Sequence, residues 1–503
     1  MEDDKIIEKD LSILAKSSMF VFVAVILSKV FMYLYRIIIA RYYGPEVYGL
    51  FSLAFVIFSF FMVFASLGLF EGLIRFIPIY REDKNKIKYL IKFSKNILFY
   101  SSIVAGGLLF FSSEIISTRI FHDSNLIIYL KFFSFLIPIH IFTNIYFSII
   151  RSHERIKANS FGINILENLF KFLFIILFVC IGIKTATAVS LSYILAISFG
   201  LIFAYVYCKF KLSYIFEEIF LSRKDKVSLR NKLISYSWPL ILYAIIGALM
   251  YYLDTFLIGY FKDAYWVGIY NAAIPIAMLL LLSSEIFMQM FSPMITKEMF
   301  SKNLIVVKEL SKQVTKWICM INLPITILIF LFPGIFINFL FGQEYLIGSN
   351  ALRLLTIGQF IFSIAIIPNT LLLSKGKSKI ILANLIFIGI LNFILNLILI
   401  PKYGIAGAAF ATSTSLIILS VLVIIENYHF NKIFPFRRKM LVIFLISLIP
   451  TSVLYWISKF INVNFILLVV FGILFAIIYF GLIILTKSFD RNDLMILKKI
   501  FRK

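Results

Sequence analysis

The chain has 503 residues, 61% of them hydrophobic and 15% charged, with a mean hydropathy of +0.99. A soluble domain carries about a quarter of its residues charged to cover its surface, so this composition excludes a water-soluble fold. The formal net charge is +24, from 49 Lys and Arg against 25 Asp and Glu, and its placement along the chain excludes a nucleic-acid surface, as shown below.

Apolar residues gather into fourteen blocks of roughly twenty, the length a helix needs to cross about 30 Å of hydrocarbon. In chain order they are 17–40, 49–77, 93–111, 126–150, 161–182, 186–207, 234–259, 267–291, 317–340, 352–373, 380–400, 404–425, 441–458 and 464–485. In lipid every backbone polar group must be satisfied locally, which makes the blocks helices; barrel strands would alternate instead. The first block is too long, and its middle too polar, for a cleavable signal, so it is expected to remain as the first membrane helix. Cys180, Cys208 and Cys319 lie in or beside apolar blocks without paired spacing and read as packing residues.

Charge placement tests the count. With both termini and every even-numbered loop on one side, that side holds 37 of the 49 basic residues. The opposite loops hold seven: Arg41, Arg119, Lys184, Lys262, Arg353, Lys402 and Lys459. Such a bias predicts cytoplasmic termini in a cell membrane. The cations ring helix ends, where anionic lipid is their partner, and form no patch that reads bases. No metal-ligand spacing is present, and Ser374-Lys375-Gly376-Lys377-Ser378 lacks the earlier glycine of a phosphate loop, having Leu371 there. No cofactor is expected.

The chain also repeats itself. Tyr48-Gly49-Leu50-Phe51-Ser52-Leu53-Ala54 matches Val267-Gly268-Ile269-Tyr270-Asn271-Ala272-Ala273 at an offset of 219. At 222, Gly182-Ile183-Lys184-Thr185-Ala186-Thr187-Ala188 matches Gly404-Ile405-Ala406-Gly407-Ala408-Ala409-Phe410, and the basic loop 152–157 falls opposite 374–379. A six-helix repeat keeps its orientation, so the expected fold is all-α and polytopic: two parallel six-helix lobes around a central cavity, plus two C-terminal helices. The expected divisions are 1–212, 213–430 and 431–503.

Ionisable residues at membrane depth are costly and mark partners or wet cavities. Helix 1 carries Lys29 and Arg36 on one face with Tyr33 between them, and Arg41 follows at its end. Helix 2 carries Glu71 and Arg75, and helix 5 Glu167 and Lys171; each spacing also fits a self-neutralising i,i+4 pair. Lys131 reads as a snorkelling residue and His140 as packing. Helix 7 offers Asp254 as a counter-ion or gate, and helix 8 offers Glu285, which also reads as a lone protonated carboxyl. At the repeat offset Arg36 meets Thr255 and Lys29 meets Ala248, so the cationic face belongs to one half. Such a face suits an anionic group such as a pyrophosphate, which arginine grips bidentately.

Arg41-Tyr42-Tyr43-Gly44-Pro45-Glu46-Val47-Tyr48-Gly49-Leu50-Phe51 resembles the helix 1–2 signature of polysaccharide transporters in the multidrug/oligosaccharidyl-lipid/polysaccharide flippase superfamily. The segment 254–259 with 267–273, and Phe291-Ser292-Pro293-Met294, are similar to second-half features of the same family. The resemblance implies a non-enzymatic flippase that moves polyprenyl-phosphate or -pyrophosphate oligosaccharides to the outer leaflet by alternating access. It implies lipid-linked oligosaccharide and membrane lipid as partners, with other polysaccharide-assembly proteins beside them. It also implies cationic cavity residues that hold phosphate, here Lys29, Arg36, Arg41 and Arg75, with Asp254, Glu71 and Glu285 as counter-ions or gates. The alternatives are a multidrug antiporter of the superfamily, against which a basic helix 1 counts, and a peptidoglycan-precursor flippase. A polymerase or ligase would need a large outward loop, and the longest, about 112–125, is short.

Overall fold

The computed structural model describes residues 2–183, 186–301 and 303–489; Lys184, Lys302 and the basic tail from 490 onward lie outside the described residues. Among the described residues there are fifteen α-helices and no strand. Twelve of the helical segments are long and apolar enough to cross a membrane. Two of these are double-length, α1 (Glu2–Ser66) and α13 (Ser378–Asn431). Each is broken by a glycine outside helical geometry: Gly44 (φ 85°, ψ 175°) and Gly404 (φ 58°, ψ −136°). Divided at those joints, the twelve become the fourteen crossings the apolar blocks predict. The outward side chains are those of a lipid-facing surface, with Phe111 81% and Leu485 77% exposed. The chain is a multi-pass membrane protein.

Several blocks are not simple rods. The second breaks at Leu67 and Gly68, both at positive φ, into the rest of α1 and a short α2 (Leu69–Ile79). Then come α3 (Lys84–Ile115), ending in a π turn, and α4 (Leu126–Ser152). The fifth block is α5 (Ile156–Ser160), a π-helical turn at Phe161–Leu166, and α6 (Glu167–Cys180). After α7 (Ala186–Lys211), α8 (Arg223–Phe261) starts eleven residues before its apolar block, because Ser222 caps it by accepting from Asp225 N–H. α9 spans Ala264–Phe300, and the ninth block divides at Pro333 into α10 (Leu304–Leu331) and α11 (Pro333–Leu340). The chain closes with α12 (Ser349–Ser374), α13, α14 (Arg438–Ser458) and α15 (Phe465–Leu485).

The repeat appears in backbone geometry. At the α4–α5 turn, Glu154 has φ 61°, its N–H donates to Arg151 O (3.0 Å) and that of Arg155 to Ile150 O (3.2 Å). At the α12–α13 turn, Gly376 has φ 77°, its N–H donates to Leu373 O (2.9 Å) and that of Lys377 to Leu372 O (3.0 Å). Every member of one set lies 222 residues from its counterpart, and so do Gly182 (φ 79°) and Gly404. Both turns are left-handed helix caps that satisfy the last carbonyls before the chain reverses.

The chain forms two compact units, Met1–Gly268 and Ile269–Lys503. In the first, α4 packs on α1, α3 and α7, α6 on α7, and α8 on α1 and α2, which extends the unit past the linker after α7. In the second, α10 packs on α12 and on the two C-terminal helices, where the Tyr479 hydroxyl donates to Met320 O (3.2 Å).

Candidate functional site

The first half of α1 is amphipathic in the membrane sense. Lys29, Tyr33 and Arg36 are half-buried, while Val30 and Leu34 on another face are exposed as lipid contacts. Tyr35, fully inward, donates to Val189 O (3.2 Å) and lies 3.3 Å from Ser192 Oγ, which seats the helix on α7 and sets the azimuth of its neighbour Arg36. The Arg36 guanidinium donates to Tyr48 and interacts electrostatically with Tyr251, Tyr33 and Tyr252 nearby. The Gly44 joint folds the second half of α1 so that Tyr48 reaches back, and α8 supplies Tyr251 and Tyr252. Tyrosines satisfy a cation at membrane depth without cancelling its charge.

A second cation adjoins this cluster. Lys171 on α6 is buried, with its ammonium 4.4 Å from the Tyr193 ring centroid and 3.5 Å from Asn168 Oδ1. Asn168 Nδ2 in turn donates to Ser28 Oγ on α1 (2.9 Å). Lys171 and Arg36 are close enough to repel, and buried Glu167 offsets part of that charge. The spacing of Glu167 and Lys171 thus gives an electrostatic pair that also reaches other helices. His140 packs on Phe58 and lies 3.1 Å from Asn144 Nδ2. Arg36 and Lys171 against Glu167 leave this cluster with a positive balance, and Lys29 and Asp254 lie half-buried in the same unit.

Arg75 lies in a separate pocket of about 510 Å³ lined by Arg75, Phe76, Asn231, Lys232, Ser235 and Tyr236. Its position follows from two glycines one turn apart. A Cβ at Gly68 would stand 2.3 Å from Ser237 O, and one at Gly72 2.5 Å from Ser237 Oγ, so α2 lies directly on α8. Arg75, three residues further, then sits over Tyr236 with its guanidinium carbon 4.2 Å from the ring centroid. Among the described residues no ion pair joins Arg75 to Glu71, and both are exposed; the self-neutralising option does not hold. The stacked guanidinium and Lys232 present two cations to the pocket.

The other expected residues are dispersed. Arg41 is exposed at the end of the first half of α1, and Glu285 is exposed on α9 in the second unit. Lys131 is exposed and lies over the Phe110 ring at 5.4 Å. Sequence reading missed the aromatic partners Tyr48, Tyr251, Tyr252 and Tyr193, and the α8 residues beside Arg75. The run Tyr251-Tyr252 next to Asp254 was a usable signal; the early start of α8 was hidden because residues 223–233 are polar.

Residues 14–299 match the sequence model of a family described as polysaccharide biosynthesis protein. An uncharacterized membrane protein of Methanocaldococcus jannaschii is 27% identical over 483 residues, covering 90% of each chain. A putative O-antigen transporter of Shigella flexneri is 27% identical over 411 residues, covering 76% of this chain and 90% of the relative. Among solved structures, the lipid II flippase MurJ in an inward closed conformation is similar with a TM-score of 0.70 at 17% identity, covering 92% of this chain and 98% of that one; at such identity the likeness is one of fold.

Proposed function

This chain belongs to the polysaccharide biosynthesis protein family, and from that footing we propose that it is a flippase for polyprenyl-phosphate- or pyrophosphate-linked oligosaccharides. It carries the headgroup from the cytoplasmic to the outer leaflet of the cell membrane, with both chain termini cytoplasmic. The observation that carries this reading is the Arg36 guanidinium held among tyrosine hydroxyls with Lys171 and Lys29 in the same unit. Cationic side chains at membrane depth suit phosphate, because charge-assisted hydrogen bonds to it offset their desolvation.

In this mechanism sugar and phosphate occupy a wet cavity while the lipid tail stays in the bilayer. Arg75 and Lys232 engage the phosphate on the cytoplasmic side, and Arg36 with Lys29 holds it at depth. Arg41 receives it near the outer end, and Asp254, Glu71 and Glu285 serve as counter-ions between states. Residues 1–212 and 213–430 are the two functional lobes that alternate, and 431–503 are an appendage. Binding the charged headgroup shifts the population between inward- and outward-open states.

The test is headgroup translocation in proteoliposomes loaded with a fluorescent polyprenyl-pyrophosphate oligosaccharide. Wild type is expected to flip it, and the Lys29→Ala/Arg36→Ala double variant to lose activity. Flipping that survives in the double variant moves the phosphate site away from helix 1. No flipping by wild type, with efflux of a cationic dye from the same vesicles, would replace this reading with a multidrug exporter.

A further inference from the structure

The second unit contains a cationic pocket that shares no residue with the substrate path proposed above. It measures about 660 Å³ and is lined by Lys312, Phe434, Phe436, Arg437, Arg438 and Lys439. Lys308, Lys312 and Lys316 recur every fourth residue along α10, and Lys316 is fully buried, donating to Ser488 O (3.3 Å). The link from α13 to α14 forms the opposite wall. It is held by Asn427 Nδ2 donating to Ile433 O (2.7 Å) and by buried Ile433, while the Phe434 and Phe436 rings meet at 5.2 Å.

Not all of these cations serve the same purpose. Arg437 is tied to Glu309 (2.6 Å), and the Lys439 ammonium donates to Lys487 O (2.7 Å), so both hold the link in place. Lys312 has Glu309 at 3.9 Å, too long for a close pair. Arg438 is exposed and forms no ion pair among the described residues. Among the described residues, Lys312 and Arg438 thus offer the pocket charge that no close carboxylate cancels.

The pocket is also continuous with an apolar track. Arg438 opens α14, and Leu441, Leu445 and Leu448 follow on its face at helical spacing, 67%, 53% and 47% exposed. Phe434, half exposed, lies at the junction. A soluble anion has no use for such a track; a lipid has, since its phosphate fills the cationic end while its chains follow the leucines.

We propose that this pocket binds the phosphate headgroup of an anionic phospholipid, with the acyl chains lying along the exposed face of α14. The site is independent of the transport reading, because none of its residues belongs to the proposed substrate path.

The experiment measures binding of fluorescent phosphatidylglycerol to the full chain in a neutral detergent. Phosphatidylcholine and inorganic phosphate serve as competitors. Removing a cation near a lipid phosphate weakens binding about fivefold, so Lys312→Gln/Arg438→Gln should bind phosphatidylglycerol about 25-fold more weakly. A Lys209→Gln/Lys211→Gln control, which removes equal charge from the end of α7, should bind as wild type does. Arg438→Gln alone removes an exposed side chain and keeps the fold, so a fivefold loss there supports the site even if the double variant misfolds. Equal loss in the control would overturn the proposal in favour of a diffuse basic surface. Displacement by millimolar inorganic phosphate would reassign the pocket to a soluble anion, and unchanged binding in Arg438→Gln would remove it altogether.

Discussion

Gly49 and Gly268, the glycines matched by the internal repeat, each press on the other's segment: a Cβ at Gly49 would stand 1.7 Å from Ala264 O, and one at Gly268 2.0 Å from Pro45 O. The approach is reciprocal, so the start of the second half of α1 and the first turn of α9 meet backbone to backbone. Neither carbonyl is the tip of a flexible side chain, and neither position has slack.

Either Gly49→Ala or Gly268→Ala is therefore expected to cost at least about 2–4 kcal/mol, because the helices themselves must part. Gly107→Ala, where nothing lies within 4 Å, should leave stability unchanged or slightly raised. Thermal unfolding of the detergent-solubilised variants, together with gel-filtration homogeneity, checks both arms.

The paired turns give a second test. Glu154 occupies the left-handed position that Gly376 fills in the other half, and its pairing with Arg81 (3.4 Å) is between largely exposed side chains and contributes little. Glu154→Gly should raise stability by up to about 1 kcal/mol, and Gly376→Ala should lower it by about 1–2 kcal/mol. Opposite signs in denaturation midpoints are the expected result; a loss in both would mean the Arg81 contact outweighs the backbone.

The fold was largely legible because the bilayer forces it: apolar length alone marked fourteen crossings, and two glycine offsets marked the repeat. The joints were less legible. Leu67–Gly68, Pro333 and the π turn at Phe161–Leu166 lie inside continuous apolar runs, where hydropathy carries no boundary. At the site, the sequence marked Lys29 and Arg36 as cations with no acidic residue three or four positions away on their own helix. Arg36 donates to Tyr48 across the Gly44 joint and has Tyr251 and Tyr252, more than two hundred residues away, as electrostatic neighbours, and no periodicity reports such relations. For Glu71 and Arg75 the spacing left a self-neutralising pair and a cavity role both open, and the arginine instead stacks on Tyr236.

If the Arg75 pocket takes phosphate, the stack on Tyr236 presents the guanidinium and should matter as much as its charge. Arg75→Lys and Tyr236→Leu are expected to raise the substrate concentration for half-maximal flipping about five- to tenfold, and Arg75→Ala more. A transport assay with unaltered Arg75→Ala kinetics would exclude this pocket from the path.

The cluster around α6 makes a prediction about pairing. Removing one charge leaves the other buried and uncompensated, so Lys171→Met and Glu167→Gln should each destabilise by about 2–4 kcal/mol. The double variant should lose less than the sum, and a strictly additive cycle would show that the two charges do not interact.

At the α4–α5 turn, His153 Nδ1 donates to Ile149 O (2.7 Å), which leaves Nε2 to accept from the Tyr214 hydroxyl (2.5 Å). Burial first, then Arg155 and Arg81 nearby, push its pKa below the ordinary histidine value. The unfolded chain therefore takes up a proton, near pH 6.5, before the folded one does. Stability contributed by neutral His153 is present above that pH and is lost as pH falls through it. The unfolding temperature of wild type should drop more between pH 7.5 and 5.5 than that of His153→Gln, and parallel profiles would show that the histidine does not titrate this equilibrium.

The π turn at Phe161–Leu166 has one more consequence. A single such turn is what remains when one residue is inserted into a regular helix, and everything after it is rotated by about 100°. Glu167, Asn168 and Lys171 begin directly beyond it, so their inward direction is owed to that extra residue. A one-residue deletion within 161–166 would restore an unbroken spiral and turn the same three side chains away from α1 and α7, toward the hydrocarbon. The unit's polar interior thus depends on a change in chain length as well as on the identity of its residues.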